Sequence, residues 1–418
     1  MTTPNDILHA LLAAAVDAAH PSRVLPRHLA SLEARPKVVI GAGKAAGAMA
    51  QALEETWPEP IEGLVVVPHG YTVRCRNIEV VEAAHPVPDE AGLDVSRRML
   101  AMVAGLGEDE HVVMLLSGGG SALLGLPAGG LHLADKKRLN RSLLRSGATV
   151  AEMNCVRKHV SAIKGGRLAE ASWPATMHTF AISDVPGDDP SLVASGPTVP
   201  DPTTSQDALT IIERYRIDAS EAVLAWLRDA RSETPKPSDQ RLSRSRFTMI
   251  ATPQVSLDAA AAVARQCGYT PIILGDLEGE SREVAKVHAA IARQIRKHAQ
   301  PVKAPCVILS GGETTVTLRG NGRGGRNTEF LLSLTNELRG ESDMWAVAAD
   351  TDGIDGSERN AGAIMTPATY GQAIASSLNP TTYLDNNDGY GFFEQLGSLI
   401  VTGPTHTNVN DFRAIIIK

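Results

Sequence analysis

Ser310-Gly311-Gly312-Glu313-Thr314 and, a few residues on, Gly322-Arg323-Gly324-Gly325-Arg326-Asn327 follow an apolar stretch at 306–309. The stretch reads as a buried strand, and 316–319 between the glycine clusters reads as a second. Glycines let backbone N–H groups approach an anion closely, and two arginines stand among them as fixed cations. A shorter version lies upstream, where an apolar run at 112–116 leads into Ser117-Gly118-Gly119-Gly120-Ser121. Two strand–Ser-Gly-Gly units far apart in one chain predict two α/β lobes facing an anionic ligand. A phosphoryl-transfer enzyme fits this pattern better than a binding module.

The chain has 418 residues, enough for two or three domains, and its 43% hydrophobic content can supply their cores. With 40 basic against 47 acidic residues the net charge is -7, which argues against a nucleic-acid partner. Cys75, Cys155, Cys267 and Cys306 form no C-x-x-C pair, so they suggest neither a zinc site nor a redox pair, and they fit a reducing cytoplasm. Residues 1–20 lack the positive start of a signal peptide and read as an amphipathic helix. No apolar run is long enough to span a membrane.

Short apolar runs ending in glycine alternate with helical patterns. Strands are expected at 37–40, 64–67, 79–83, 112–116 and 179–182, and helices at 45–56, 89–106, 135–145 and 150–170. This alternation predicts mostly parallel sheets covered on both faces, with ligands beyond the carboxyl ends of the strands. The polar, proline-bearing stretch 232–246 marks the boundary between a domain at 1–235 and another at 245–418. The second series begins with a strand at 247–251 and helices at 256–267 and 282–298.

Gly41-Ala42-Gly43-Lys44-Ala45-Ala46-Gly47 falls at a strand-to-helix turn. Its spacing departs from the dinucleotide fingerprint, and Pro68-His69 stands where a ribose-binding acid would end the second strand. A helix N-terminus with Lys44 suits a carboxylate or phosphate; the bland alternative is a tight turn with a solvated lysine. Ser117–Ser121 lacks the P-loop lysine, and Gly-x-Ser-x-Gly is absent, so a P-loop site and a serine hydrolase are both disfavoured. Asn154 is followed by Arg157, Lys158, Lys164 and Arg167, either phosphate ligands or a solvated helix face. Asp184, Asp188, Asp189, Asp350, Asp352 and Asp355 end two strands as Mg²⁺ ligands, as a base or as turn caps. The run from Asn386-Asn387-Asp388 to Thr405 and Asn408 can line a nucleotide or sugar-acid pocket, or can be a loop of Asx and Ser/Thr turns.

Further motifs join these: His85-Pro86-Val87-Pro88-Asp89, Lys164-Gly165-Gly166-Arg167, Ser183-Asp184-Val185-Pro186-Gly187-Asp188, Ala194-Ser195-Gly196-Pro197-Thr198, Thr351-Asp352-Gly353-Ile354-Asp355-Gly356 and Thr402-Gly403-Pro404-Thr405. In this order, over essentially the whole chain, they resemble the class II glycerate kinases, the glycerate 2-kinase family, some of whose members carry the name hydroxypyruvate reductase. The resemblance implies two Rossmann-like α/β domains with a cleft between them. It also implies ATP and Mg²⁺, with transfer to the 2-hydroxyl of D-glycerate. The family's lysine and arginine map onto Lys44 and Arg326.

On this reading Asp188 is the first choice for the base, and Asp184, Asp350 and Asp352 are the metal ligands. Gly43, Ser117, Gly118, Gly119, Gly120, Ser121, Asn154 and Lys158 are expected to bind substrate or nucleotide. Ser310, Gly311, Gly312, Glu313, Asn327, Thr405 and Asn408 join them from the second lobe. A monomer or homodimer is expected. The chain departs from the family pattern at Ala84, Ser238, Thr328 and Ser357-Glu358-Arg359-Asn360. The alternative activity is an NAD(P)H-dependent hydroxypyruvate reductase, for which the Gly41–Gly47 turn is the one supporting feature; a third reading is a sugar-acid binding protein.

Overall fold

The computed structural model describes residues 3–418 and divides into two compact units. One comprises residues 24–183 and 188–250; the other comprises the described chain up to Arg23, Asp184–Gly187 and Ala251–Lys418.

The first unit is built on β1 (Val38–Ala42), β2 (Glu62–Pro68), β3 (Ile78–Ala83), β4 (His111–Leu116), β5 (Thr176–Ile182) and β6 (Ser245–Ala251), in the order β3-β2-β1-β4-β5-β6. β1 pairs in parallel with both β2 and β4, and every β1 residue is buried, as expected for an apolar strand covered on both faces. The strand order reverses direction between β1 and β4, where open α/β sheets present their ligand crevice. A layer of helices (Leu133–Arg145, Val150–His159, Ser205–Arg214 and Glu221–Arg228) packs through Leu139, Leu143, Val156, Ile211 and Leu227.

The second unit carries β7 (Thr270–Asp276), β8 (Gly279–Glu280), β9 (Cys306–Gly311), β10 (Thr314–Thr315), β11 (Met344–Asp350), β12 (Gly362–Met365), β13 (Leu399–Ile400) and β14 (Asp411–Ile417). Its six-stranded sheet runs β13-β12-β11-β14-β9-β7, and only the β7–β9 pair in it is parallel. The second α/β unit thus carries a mixed sheet. The cause is β14, a fully buried central strand that enters antiparallel to both neighbours.

The expected domain boundary also moves. Residues 245–251 form the edge strand of the first sheet rather than the start of the second domain. The N-terminal helix, Pro4–Ala18, belongs with the C-terminal unit. Thr3 and Asp6 close a capping box at its start, and its apolar stripe of Ile7, Leu8, Leu11, Leu12 and Ala15 packs on Leu257, Ala260, Ala261 and Ala264 of the helix Pro253–Gln266. The first two residues of the predicted segment lie outside the described residues.

Two further expectations fail locally. The helix predicted over 150–170 is broken into Val150–His159 and Arg167–Ser172, because Gly165 and Gly166 take φ of 58° and 85° and donate to Ser195 and Gly196 carbonyls. The strand predicted at 316–319 is a loop held from outside: the Asn387 carboxamide oxygen accepts from the Arg319 and Gly320 amides at 2.7 and 3.1 Å, and Asp388 accepts from Arg323 at 3.1 Å.

Candidate functional site

At the switch point of the first sheet the two glycine loops interlock. Ala42 and Leu116 are register partners, so the residues after them meet. The Ser117 hydroxyl accepts from Ala45 N–H at 2.9 Å, and Lys44 N–H donates to the Gly118 carbonyl at 2.9 Å. Gly43 has φ of 131°, and a β-carbon there would lie 2.2 Å from the Ser117 hydroxyl oxygen. Gly119 is left-handed, and a β-carbon there would lie 3.3 Å from the His85 ring and 3.5 Å from the Lys44 stem. The expected loop of Gly43, Lys44 and Ser117–Ser121 is thus one rigid structure at the carboxyl edge of β1 and β4.

A directed chain of hydrogen bonds leaves this loop. Lys164 donates to the Ser121 hydroxyl at 2.6 Å, and also to its carbonyl. The Ser195 hydroxyl commits its proton to the Asn154 side-chain oxygen at 2.8 Å. The 2.9 Å contact between the two serines must then be donated by Ser121. Asn154 and Ser121, predicted separately, are therefore joined through Ser195, which sits with Ala194 and Gly196 in a run of three positive φ angles. Such strain concentrates at functional sites.

The expected role of Lys158 is corrected. Its ammonium is buried against Asp201 at 3.4 Å, and Asp201 also accepts from Thr203 and Thr234. It completes an internal ion pair. Arg167 likewise caps the carbonyls of Arg231, Ser232 and Glu233. The cations that do reach open space are Lys136, Arg157 and Lys164, which with His85, Gly119 and Ser121 line a cavity of about 220 Å³. Burial, reinforced by Arg157, pulls the Lys136 ammonium down to about 7. Burial, then Lys136 and Arg157, push Lys164 well below the ordinary lysine range. Lys136 and Leu139 escaped sequence reasoning, since nothing local marks one face of the helix Leu133–Arg145 as a wall.

In the second unit Arg326 is the first residue of the helix Arg326–Leu338 and is held by three carboxylates: Asp411 at 2.7 Å, Asp350 at 2.8 Å and Glu313 at 2.8 Å. Burial opposes its charge, but Asp411, Asp350 and Glu313 outweigh it and raise its pKa well above the arginine range. Asp411 in turn ion-pairs with the fully buried Arg413, which also donates to the Gly311 carbonyl at 2.8 Å. Asn327 donates to Asp411 and to Asp355, and Thr328 gives Asp355 both its amide and its hydroxyl. The Thr328 departure noted in the sequence is thus a helix-start anchor. Asp411 and Arg413 were missed because their signal, two charges opening an apolar terminal strand, reads as chain end.

Several predicted ligands turn out to be engaged internally. The Ser310 hydroxyl meets His288 at 3.0 Å behind β9, and burial drops that imidazole to about 4. Gly312 packs so closely on Leu277 that a β-carbon would lie 2.2 Å from its amide nitrogen. Thr405 donates to the Thr351 carbonyl, while Asn408 donates to Asp184 at 3.0 Å. Asn386, Asn387 and Asp388 hold the glycine-rich loop.

The three expected metal ligands do not converge. Among the described residues no group of three His, Cys, Asp or Glu side chains stands in metal-binding geometry. One Asp350 oxygen accepts from Arg326 and the other from the Asp352 amide at 3.0 Å; Asp352 itself accepts from Ile354 N–H at 2.8 Å. These carboxylates do not fit a protein-built Mg²⁺ cage, and no step is derived through one. Asp188 differs: it has φ of 53°, and one of its carboxylate oxygens is buried with no hydrogen-bond partner among the described residues.

Two family models match successive parts of the chain. A family model described as "Domain of unknown function (DUF4147)" matches residues 7–228, and one described as "MOFRL family" matches residues 306–411. The D-glycerate 2-kinase of Thermotoga maritima is 40% identical over 95% of this chain and 94% of its own. The chain belongs to the glycerate 2-kinase family. The crystal structure of Thermotoga maritima glycerate kinase covers 99% of both chains with a TM-score of 0.89 at 38% identity. A protein of Agrobacterium vitis named "Putative hydroxypyruvate reductase" is 50% identical over 98% of this chain and 94% of its own. No helix among the described residues of this family member is long and apolar enough to cross a membrane.

Proposed function

We propose that the protein transfers the terminal phosphoryl group of ATP to the 2-hydroxyl of D-glycerate. The full-length likeness to the Thermotoga maritima D-glycerate 2-kinase carries this reading. Phosphoryl transfer asks a protein mainly for positioned cations and hydrogen-bond donors, and both units offer them. In the reaction a bond forms between the substrate oxygen and the γ-phosphorus, and the bond to the ADP oxygen breaks. The hydroxyl proton passes to Asp188, whose unpartnered oxygen can accept it. Lys44 neutralises the phosphoryl group or the carboxylate beside the Ser117–Ser121 loop, and Arg326, stiffened by its carboxylates, is the candidate anion-binding cation of the second unit. Mg²⁺ would be held by the nucleotide's own phosphates and would supply charge neutralisation there. The Agrobacterium name favours a second reading, a nicotinamide-dependent reductase, and the strand order of the first sheet is compatible with it. Against it, β2 ends in Pro68 followed by His69, with no acid for the ribose hydroxyls.

The test is ADP release from MgATP with and without D-glycerate, followed by separation of 2- and 3-phosphoglycerate, alongside NADH oxidation with hydroxypyruvate. Glycerate-dependent ADP with a 2-phosphorylated product is expected. No glycerate-dependent ADP from folded protein, or NADH turnover instead, overturns the proposal.

A further inference from the structure

Within the first unit the cavity beside the Ser117–Ser121 loop has two unlike walls. One is cationic: Lys136, Arg157 and Lys164. Their protein partners are neutral. Lys136 donates to the Leu126 carbonyl at 3.4 Å, Arg157 uses only its Nε, toward the Asn140 side-chain oxygen at 2.8 Å, and Lys164 donates to Ser121. Among the described residues no carboxylate lies within ion-pair distance of the three. The other wall is apolar: Leu139, Leu143 and Leu144 of the helix Leu133–Arg145, with Val160 and Pro88. Leu144 stands 63% exposed, a large apolar side chain left in water.

Three basic groups crowded together with no counter-charge hold their protons poorly, and an anion of several charges would let all three stay charged. A three-carbon hydroxy acid carries one charge and an oxygen on every carbon, so it has nothing to offer the leucines. A nucleoside polyphosphate has both parts: three or four negative charges and a flat apolar base. Resting on the kinase reading above, we propose that this cavity is the nucleotide site, with the polyphosphate on Lys136, Arg157 and Lys164 and the base against Leu139, Leu143 and Leu144. The Ser117–Ser121 loop then stands at the phosphate end, and the chain Lys164–Ser121–Ser195–Asn154 holds Lys164 in place.

The test is calorimetric titration of the full chain with ADP, in wild type and in Lys136→Met, Arg157→Gln and Leu144→Asp. Leu144 is exposed, so its variant keeps the test alive if the others do not fold. The expected result is ADP binding weakened by about 10-fold or more in each folded variant, with KM for ATP rising and KM for D-glycerate unmoved. ADP affinity unchanged in folded Leu144→Asp and in a folded cation variant overturns the assignment, as does a rise in the glycerate KM alone. If wild type binds ADP, the variants lose it and no glycerate-dependent turnover is found, the nucleotide site stands and the glycerate reading falls.

Discussion

Arg326→Ala exposes the double role of that residue. The guanidinium lies at 2.7–2.8 Å from Asp411, Asp350 and Glu313, and the first two carboxylates are almost fully buried. At this range each pair is worth roughly 6 kcal/mol of gross attraction at an effective dielectric of about 20. Desolvation offsets most of it, and removing one partner of a buried pair costs about 3–5 kcal/mol because the remaining charges are stranded. Arg413 still neutralises part of Asp411, which places the expected loss toward the lower end.

For a unit of this size about 2–4 °C of Tm is lost per kcal/mol, so scanning calorimetry should show the second unit melting roughly 6–15 °C earlier. Arg326→Ala/Asp350→Asn removes one stranded charge and should recover part of that shift. Turnover should nevertheless stay lower by orders of magnitude in both variants, since neither restores the cation. A Tm within 2 °C of wild type in the single variant would refute the electrostatic argument. Restored turnover in the double variant would refute the functional one.

Asp188→Asn keeps a side chain tolerant of positive φ but removes the proton acceptor; kcat should fall by about 10²–10⁴ with Tm unchanged or raised, because the lost charge had a buried oxygen without a partner. Gly43→Ala would drive a methyl group into the Ser117 hydroxyl, so glycerate-dependent turnover should be lost and the first unit should melt earlier. ADP affinity should depend on pH through Lys136, which faces Arg157, Lys164 and His85 and whose pKa burial and Arg157 pull down to about 7. Lys136 is charged below that value, and a bound anion raises its pKa toward the ordinary lysine range. The dissociation constant should therefore rise as pH climbs from 7 to 9, by up to about 10-fold per pH unit, with a shallower slope in Lys136→Met. A flat profile in wild type would contradict it.

The strand-to-glycine punctuation at 41–47 and 117–121 was legible in the sequence, because a buried strand and the turn that ends it are written in neighbouring residues. The same local logic placed the alternating elements of the first unit and the capped N-terminal helix. It failed at β14, whose burial comes from two neighbours far away in sequence, and at 316–319, where Asn387 and Asp388 hold the backbone that a strand ladder would otherwise have satisfied.

The cations show the division most clearly. Lys158 and Lys164 lie in one short stretch with similar surroundings in sequence, yet one is an internal ion pair and the other lines a cavity. The difference is Asp201, brought against Lys158 by the fold, and the break at Gly165-Gly166 that turns Lys164 toward Ser121. Sequence alone determined which side chains carry charge and where the backbone can approach an anion, since both are properties of single residues and their neighbours. Only the tertiary structure decided which charges are already neutralised, because an electrostatic partner is chosen by distance in space and not by distance along the chain.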